Sequence, residues 1–155
     1  MPPQGFRYAR RVTRGRVLLL LALFAALVRL ATQGWDSGIL SPHPDERQVA
    51  LVAERVPTWF ADPGFYAYGS LHFSLLRTVT ALTGQHPAYE QLLVTGRVLS
   101  LLASVLTVVV VFWLGRRAFG RRAALLAALL LAIVPLDLQL SHYATVEAHH
   151  ALWVV

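Results

Sequence analysis

Asp45 and Glu46 are adjacent carboxylates in the stretch Ser41-Pro42-His43-Pro44-Asp45-Glu46-Arg47. Such a pair beside a histidine can take up a proton or hold a cation, and two readings stand side by side. On the first, Pro44 occupies the opening position of a helix and the two acids fill its first turn, where the positive end of the helix dipole favours them. Glu46, three residues after His43, then makes half of a capping box. On the second, one carboxylate sits at a rigid helix start and accepts a proton from an incoming hydroxyl, while the other orients it or binds a metal. Mg²⁺ or Mn²⁺ held by Asp45, Glu46 and a substrate phosphate suits that chemistry. Zinc does not, because no spaced His or Cys set accompanies His43.

A second polar cluster runs Ser141-His142-Tyr143-Ala144-Thr145-Val146-Glu147-Ala148-His149-His150. Its plain reading is a solvated turn in which Thr145 or Glu147 starts the next helix. Its functional reading is a second acidic loop facing the first across a groove. Arg97 and Arg77 can neutralise a phosphate there, although snorkelling to an interface is the more frequent reason for such a position.

What must position these groups is a set of membrane helices. The 155 residues are 56% apolar and 14% charged, outside the usual range of soluble domains. There is no cysteine, so neither a disulfide framework nor thiolate chemistry is available. The net charge of +6 comes from arginine alone. Those arginines stand beside apolar runs and not among stacking aromatics, which argues for membrane topology and against a nucleic-acid partner.

Three runs are long enough to cross about 30 Å of hydrocarbon at about 1.5 Å per residue. They cover about 17–32, about 92–114 (densest from Val98 to Leu114) and about 123–140, the last broken near Pro135 and Asp137. Arg29 near the end of the first reads as snorkelling. A further helix starts near 148, and the chain stops inside it, as an N-terminal portion would. The basic turn Arg116-Arg117-Ala118-Phe119-Gly120-Arg121-Arg122 and the N-terminal arginines predict a cytoplasmic N-terminus in a multi-pass protein of the cell membrane. All eight acids, Asp36, Asp45, Glu46, Glu54, Asp62, Glu90, Asp137 and Glu147, then lie at or beyond the opposite face.

The loop of about 33–91 is too long for a mere connection and too apolar for disorder. Val49, Val52, Ala53 and Val56 recur at helical spacing, as do Leu71, Leu75, Val79 and Leu82. Both stripes predict amphipathic helices lying on the bilayer surface, with Trp59, Phe60, Phe65, Tyr66 and Tyr68 between them at headgroup level. The fold class is thus an all-α membrane protein: a polytopic helix bundle with amphipathic surface helices in a long first outer loop.

In order along the chain, five motifs resemble the GT-C superfamily of polytopic glycosyltransferases, in particular its protein mannosyltransferase and aminoarabinose transferase-like group. They are His43-Pro44-Asp45-Glu46, Phe65-Tyr66-Ala67-Tyr68-Gly69-Ser70-Leu71, Gly96-Arg97-Val98-Leu99-Ser100, Leu114-Gly115-Arg116-Arg117-Ala118-Phe119-Gly120 and Ser141-His142-Tyr143-Ala144-Thr145-Val146-Glu147. The resemblance implies transfer of a sugar from a polyprenyl-phosphate donor, usually with inversion, to a glycan, lipid or protein acceptor on the non-cytoplasmic face. It implies Asp45 as base, Glu46 as its neighbour and Glu147 as the second-loop acid, where relatives more often carry Asp. His43, Tyr68, Arg97 and His142 are the implied substrate contacts. Two other readings compete: a non-catalytic scaffold or assembly subunit, which needs a properly completed last helix, and a transporter fragment, which needs charges near the bilayer midplane.

Overall fold

The computed structural model describes residues 4–33, 43–56, 61–84 and 88–155, with side chains from residue 15 onward. Among them every regular element is helical: α1 (Gln4–Thr32), α2 (Pro44–Arg55), α3 (Ser70–Leu82), α4 (Tyr89–Ala118), α5 (Arg121–Ile133), α6 (Pro135–Ser141) and α7 (Glu147–Val154). Asp36, Ser41, Pro42, Trp59 and Phe60 lie outside the described residues.

α4 is the axis, and all six other helices touch it. Its 30 residues extend about 45 Å, more than a hydrocarbon core needs, so its two ends serve different layers. On its N-terminal part rests a cluster of Val49, Ala50, Val52, Ala53 and Val56 from α2, Phe73 and Leu76 from α3, and Leu92. Against its C-terminal part pack Leu21 and Ala25 of α1 and Ala124, Ala128 and Ala132 of α5, around Val108 and Phe112. The alanines recur every fourth residue, so they share one helix face, and their small size lets the backbones close. A Cβ on Gly115 would lie 3.4 Å from Ala124.

α1 and α4 are each apolar and long enough to span a membrane, and α5 with α6 passes the same test only as a pair bent by 58°, the form of a broken span or a re-entrant loop. The bend falls where Val134 takes an extended conformation (φ −61°, ψ 124°) ahead of Pro135, which lacks an N–H and disfavours a helical residue before it.

Three expectations from the sequence are corrected here. The stripe of α2 does not lie on lipid: Val49, Val52, Ala53 and Val56 are buried against α3 and α4. In α3 the inward face is Phe73, Ser74, Leu76 and Thr80, whereas Leu71 and Leu82 are exposed. Leu75 and Val79 are half-buried, and a helix apolar on both sides does not reveal in its sequence which side meets protein. Arg29 does not snorkel: it is wholly buried and pairs with Asp137, while its Nε donates to Ser104 Oγ at 2.8 Å and one terminal nitrogen donates to Ala25 O at 2.9 Å. Ser104 Oγ also donates to Asp137 at 2.7 Å. A guanidinium in an apolar layer is tolerable when its donors are met, and here α1, α4 and α6 meet them.

Candidate active site

α2 begins as its sequence dictates. Pro44 opens the helix, and the His43 ring accepts from the Asp45 N–H at 3.3 Å. The next two side chains then diverge. That of Asp45 is 51% exposed, whereas that of Glu46 is fully buried. Glu46 does not reach back to complete a capping box. Its two oxygens accept from Arg97 Nε at 2.6 Å and a terminal Arg97 nitrogen at 2.8 Å, and Oε1 also accepts from the Ala144 N–H at 2.9 Å. One carboxylate therefore ties α2 to α4 and to the turn between α6 and α7. A charged group can be buried in this way because bidentate pairing and a third donor replace its water.

Gly96 makes that junction accessible. A Cβ at Gly96 would collide with the Ala144 Cβ and stand 3.2 Å from the Ala144 Cα. Only a residue without a side chain lets the 141–146 turn settle onto α4 closely enough for its amide to meet Glu46. Residues 141–146 are all buried, so this turn is not the solvated connection of the plain reading. The Tyr143 ring lies 4.7 Å from that of His43, joining the same turn to the start of α2.

Tyr68, from the loop preceding α3, completes the group. Burial, then the negative charges of Asp45 and Glu147, together with its hydrogen bond to Asp45, hold its hydroxyl above the ordinary tyrosine range. The hydroxyl thus stays protonated and donates, with Asp45 and Glu147 both near it. Glu147 begins α7, and its Oε2 is buried with no hydrogen-bond partner among the described residues. Four residues beyond Tyr68, the His72 ring stacks edge-on to His149 of α7 at 5.1 Å. Burial, with His149 and His150 adding repulsion, pushes His72 down to about 3, so it is neutral.

The structure accordingly brings together His43, Asp45, Glu46, Tyr68, Arg97 and Glu147 from four separate stretches. His142 goes elsewhere: it is buried with Nε2 3.1 Å from Thr32 Oγ1 and 3.2 Å from Arg29 O, bracing the end of α1. Arg77 also faces away, donating to Ala53 O and Glu54 O at the end of α2. The Ala144 amide, Tyr143, His72 and His149 belong to the surroundings of the site without having stood out as functional. A backbone donor leaves no mark in residue type, and the one available signal was Gly96 beside Arg97. Among the described residues no three His, Asp or Glu side chains converge as metal ligands, and a cation on Glu46 would compete with Arg97 for both oxygens.

No curated protein and no solved structure matches the chain. The family described as dolichyl-phosphate-mannose-protein mannosyltransferase matches residues 71–155, which include α3 after its first residue, the Gly96-Arg97 step and the turn leading to Glu147. The chain belongs to the dolichyl-phosphate-mannose-protein mannosyltransferase family, and so to the membrane glycosyltransferases that draw on a lipid-linked sugar donor.

Proposed function

We propose that this protein moves a sugar from a polyprenyl-phosphate donor to an acceptor hydroxyl on the non-cytoplasmic face, with inversion, and that Asp45 is the base. The observation that carries this reading is the divergence of two neighbouring acids. Glu46 is buried and fully engaged, whereas Asp45 is half-exposed, held at a rigid helix start beside Tyr68. A base must meet solvent and substrate, and a positioning group must not.

In the proposed step the Asp45 carboxylate takes the acceptor O–H proton. The freed oxygen attacks the anomeric carbon from the side opposite the phosphate, the bond from that carbon to the phosphate oxygen breaks, and its electron pair leaves with the phosphate. Tyr68 aligns the Asp45 carboxylate, and Glu46 with Arg97 keeps α2 and the 141–146 turn in register. Arg97 acts through Glu46 on this reading, because its charge is already matched. Glu147 adds its negative charge beside Tyr68 from the start of α7. A divalent cation, Mg²⁺ or Mn²⁺, would take one ligand from Asp45 and the others from the donor phosphate and water. A donor whose tail stays in lipid presents its phosphate at the interface, which favours a site on helices packed just beyond the spans.

The test uses the full-length protein in membranes, a radiolabelled polyprenyl-phosphate sugar, and Asp45→Asn. Transfer is expected to vanish while membrane insertion is unchanged. Turnover at the wild-type rate by that variant removes Asp45 as the base.

A further inference from the structure

The end of the bundle opposite Asp45 carries a patch that the transferase chemistry does not use. α4 closes with Arg116 and Arg117, and α5 opens with Arg121 and Arg122. Gly120, at φ +87°, makes the reversal so tight that all four fall within one short turn. Arg16 is exposed at the same end, since its neighbours Val17 and Leu18 pack on the cluster containing Phe112 and Ala124. Among the described residues none of these guanidinium groups meets a carboxylate.

The cluster is costly to the protein by itself. Arg116 and Arg117 suit the negative end of α4, but Arg121 and Arg122 stand at the positive end of α5, where cations are disfavoured. Like charges this close also repel. Topology alone asks only that arginines remain on one side of the membrane and does not require that they be crowded together. The level of the patch is set by Trp113, 46% exposed, whose ring carries the Arg117 guanidinium at 3.7 Å. Trp is a residue type that settles at headgroup depth, and Phe119 is 81% exposed at the tip of the turn.

From this placement we infer that the α4–α5 turn is a binding site for anionic phospholipid headgroups. Lipid phosphates supply the negative charge that no described residue provides, at the depth where Trp113 holds Arg117, while Phe119 dips between acyl chains. The partner is lipid and not an acidic protein because the charges flank the apolar faces of two spans and share their depth with exposed aromatics. A surface for a soluble partner would stand clear of the bilayer.

The test reconstitutes the full chain in nanodiscs of phosphatidylcholine alone, or of phosphatidylcholine with phosphatidylglycerol. It reads the thermal midpoint, and the phospholipid retained on release into the mass spectrometer. The wild type is expected to melt higher with phosphatidylglycerol, to retain it in preference, and to lose the gain in high salt. R121Q/R122Q keeps Arg116 and Arg117 for topology and is expected to bind phosphatidylglycerol roughly 25-fold more weakly, at about fivefold per arginine. An equal midpoint of variant and wild type in phosphatidylcholine alone shows that the variant folds. Two outcomes overturn the inference: a wild type indifferent to lipid charge, or an R121Q/R122Q protein with undiminished preference.

Discussion

Glu46→Gln keeps the size of the side chain and removes the charge that three donors share. In the native protein its two oxygens accept at 2.6, 2.8 and 2.9 Å from Arg97 and the Ala144 amide. Glutamine retains one carbonyl oxygen and places an NH₂ group against a donor. Hydrogen bonds to a charged group contribute about 1.5–3 kcal/mol each, against about 1 kcal/mol for neutral ones. Leaving a buried partner uncompensated costs about 3–5 kcal/mol. The Arg97 side chain is 26% exposed and can recover some water, so the lower part of that range applies. Glu46→Gln is expected to cost about 2 kcal/mol and Glu46→Ala about 3 kcal/mol. The assay is thermal unfolding in detergent, run on the two single variants Glu46→Gln and Arg97→Gln and on the double variant. Because the partners share one network, the double variant should lose less than the sum of the singles. Transfer should also fall in Glu46→Gln although Asp45 is intact, because α2 and the 141–146 turn lose their common anchor. Strict additivity, or a Glu46→Gln protein as stable as the wild type, would refute the reasoning.

Gly96→Ala should lower the thermal midpoint, because the added methyl is driven into Ala144 and forces the turn off α4 at a cost of about 1–3 kcal/mol; an unchanged midpoint would contradict that close approach. Arg29→Leu strands Asp137 beside Ser104 and should destabilise the bundle by about 3–5 kcal/mol, whereas Arg29→Met combined with Asp137→Leu should regain much of the loss, as unfolding of both variants in the same detergent will show. His72 is held at about 3, first by burial and then by His149 and His150, below its ordinary 6.5. The unfolded chain therefore takes up that proton first as pH falls, so the contribution of His72 is complete above about 6.5 and declines from there towards 3. A pH series of thermal midpoints should show that decline in the wild type and a shallower one in His72→Phe.

The spans were legible because they depend on composition and periodicity, which a lipid solvent reads directly. Pro135 announced the break after α5 through its missing N–H, and Pro44 announced the start of α2. Asp45 and Glu46 were recognisable as a pair, but their separate fates were not. Adjacent residues on a helix point about 100° apart, and which one turns inward is decided by what stands opposite. Here that is Arg97, 51 positions away in the chain, and the Ala144 amide, 98 positions away. The inward face of α3 was hidden for the same reason, both of its sides being apolar. Arg29 read as snorkelling because its position near a helix end allowed it, and its true partners, Ser104 and Asp137, belong to two other helices. By itself the sequence determined that the chain is helical and where its long apolar runs lie, since these follow from neighbouring residues and the solvent. Only the tertiary structure decided which charge is buried and which is left to act, because burial depends on partners that chain distance conceals.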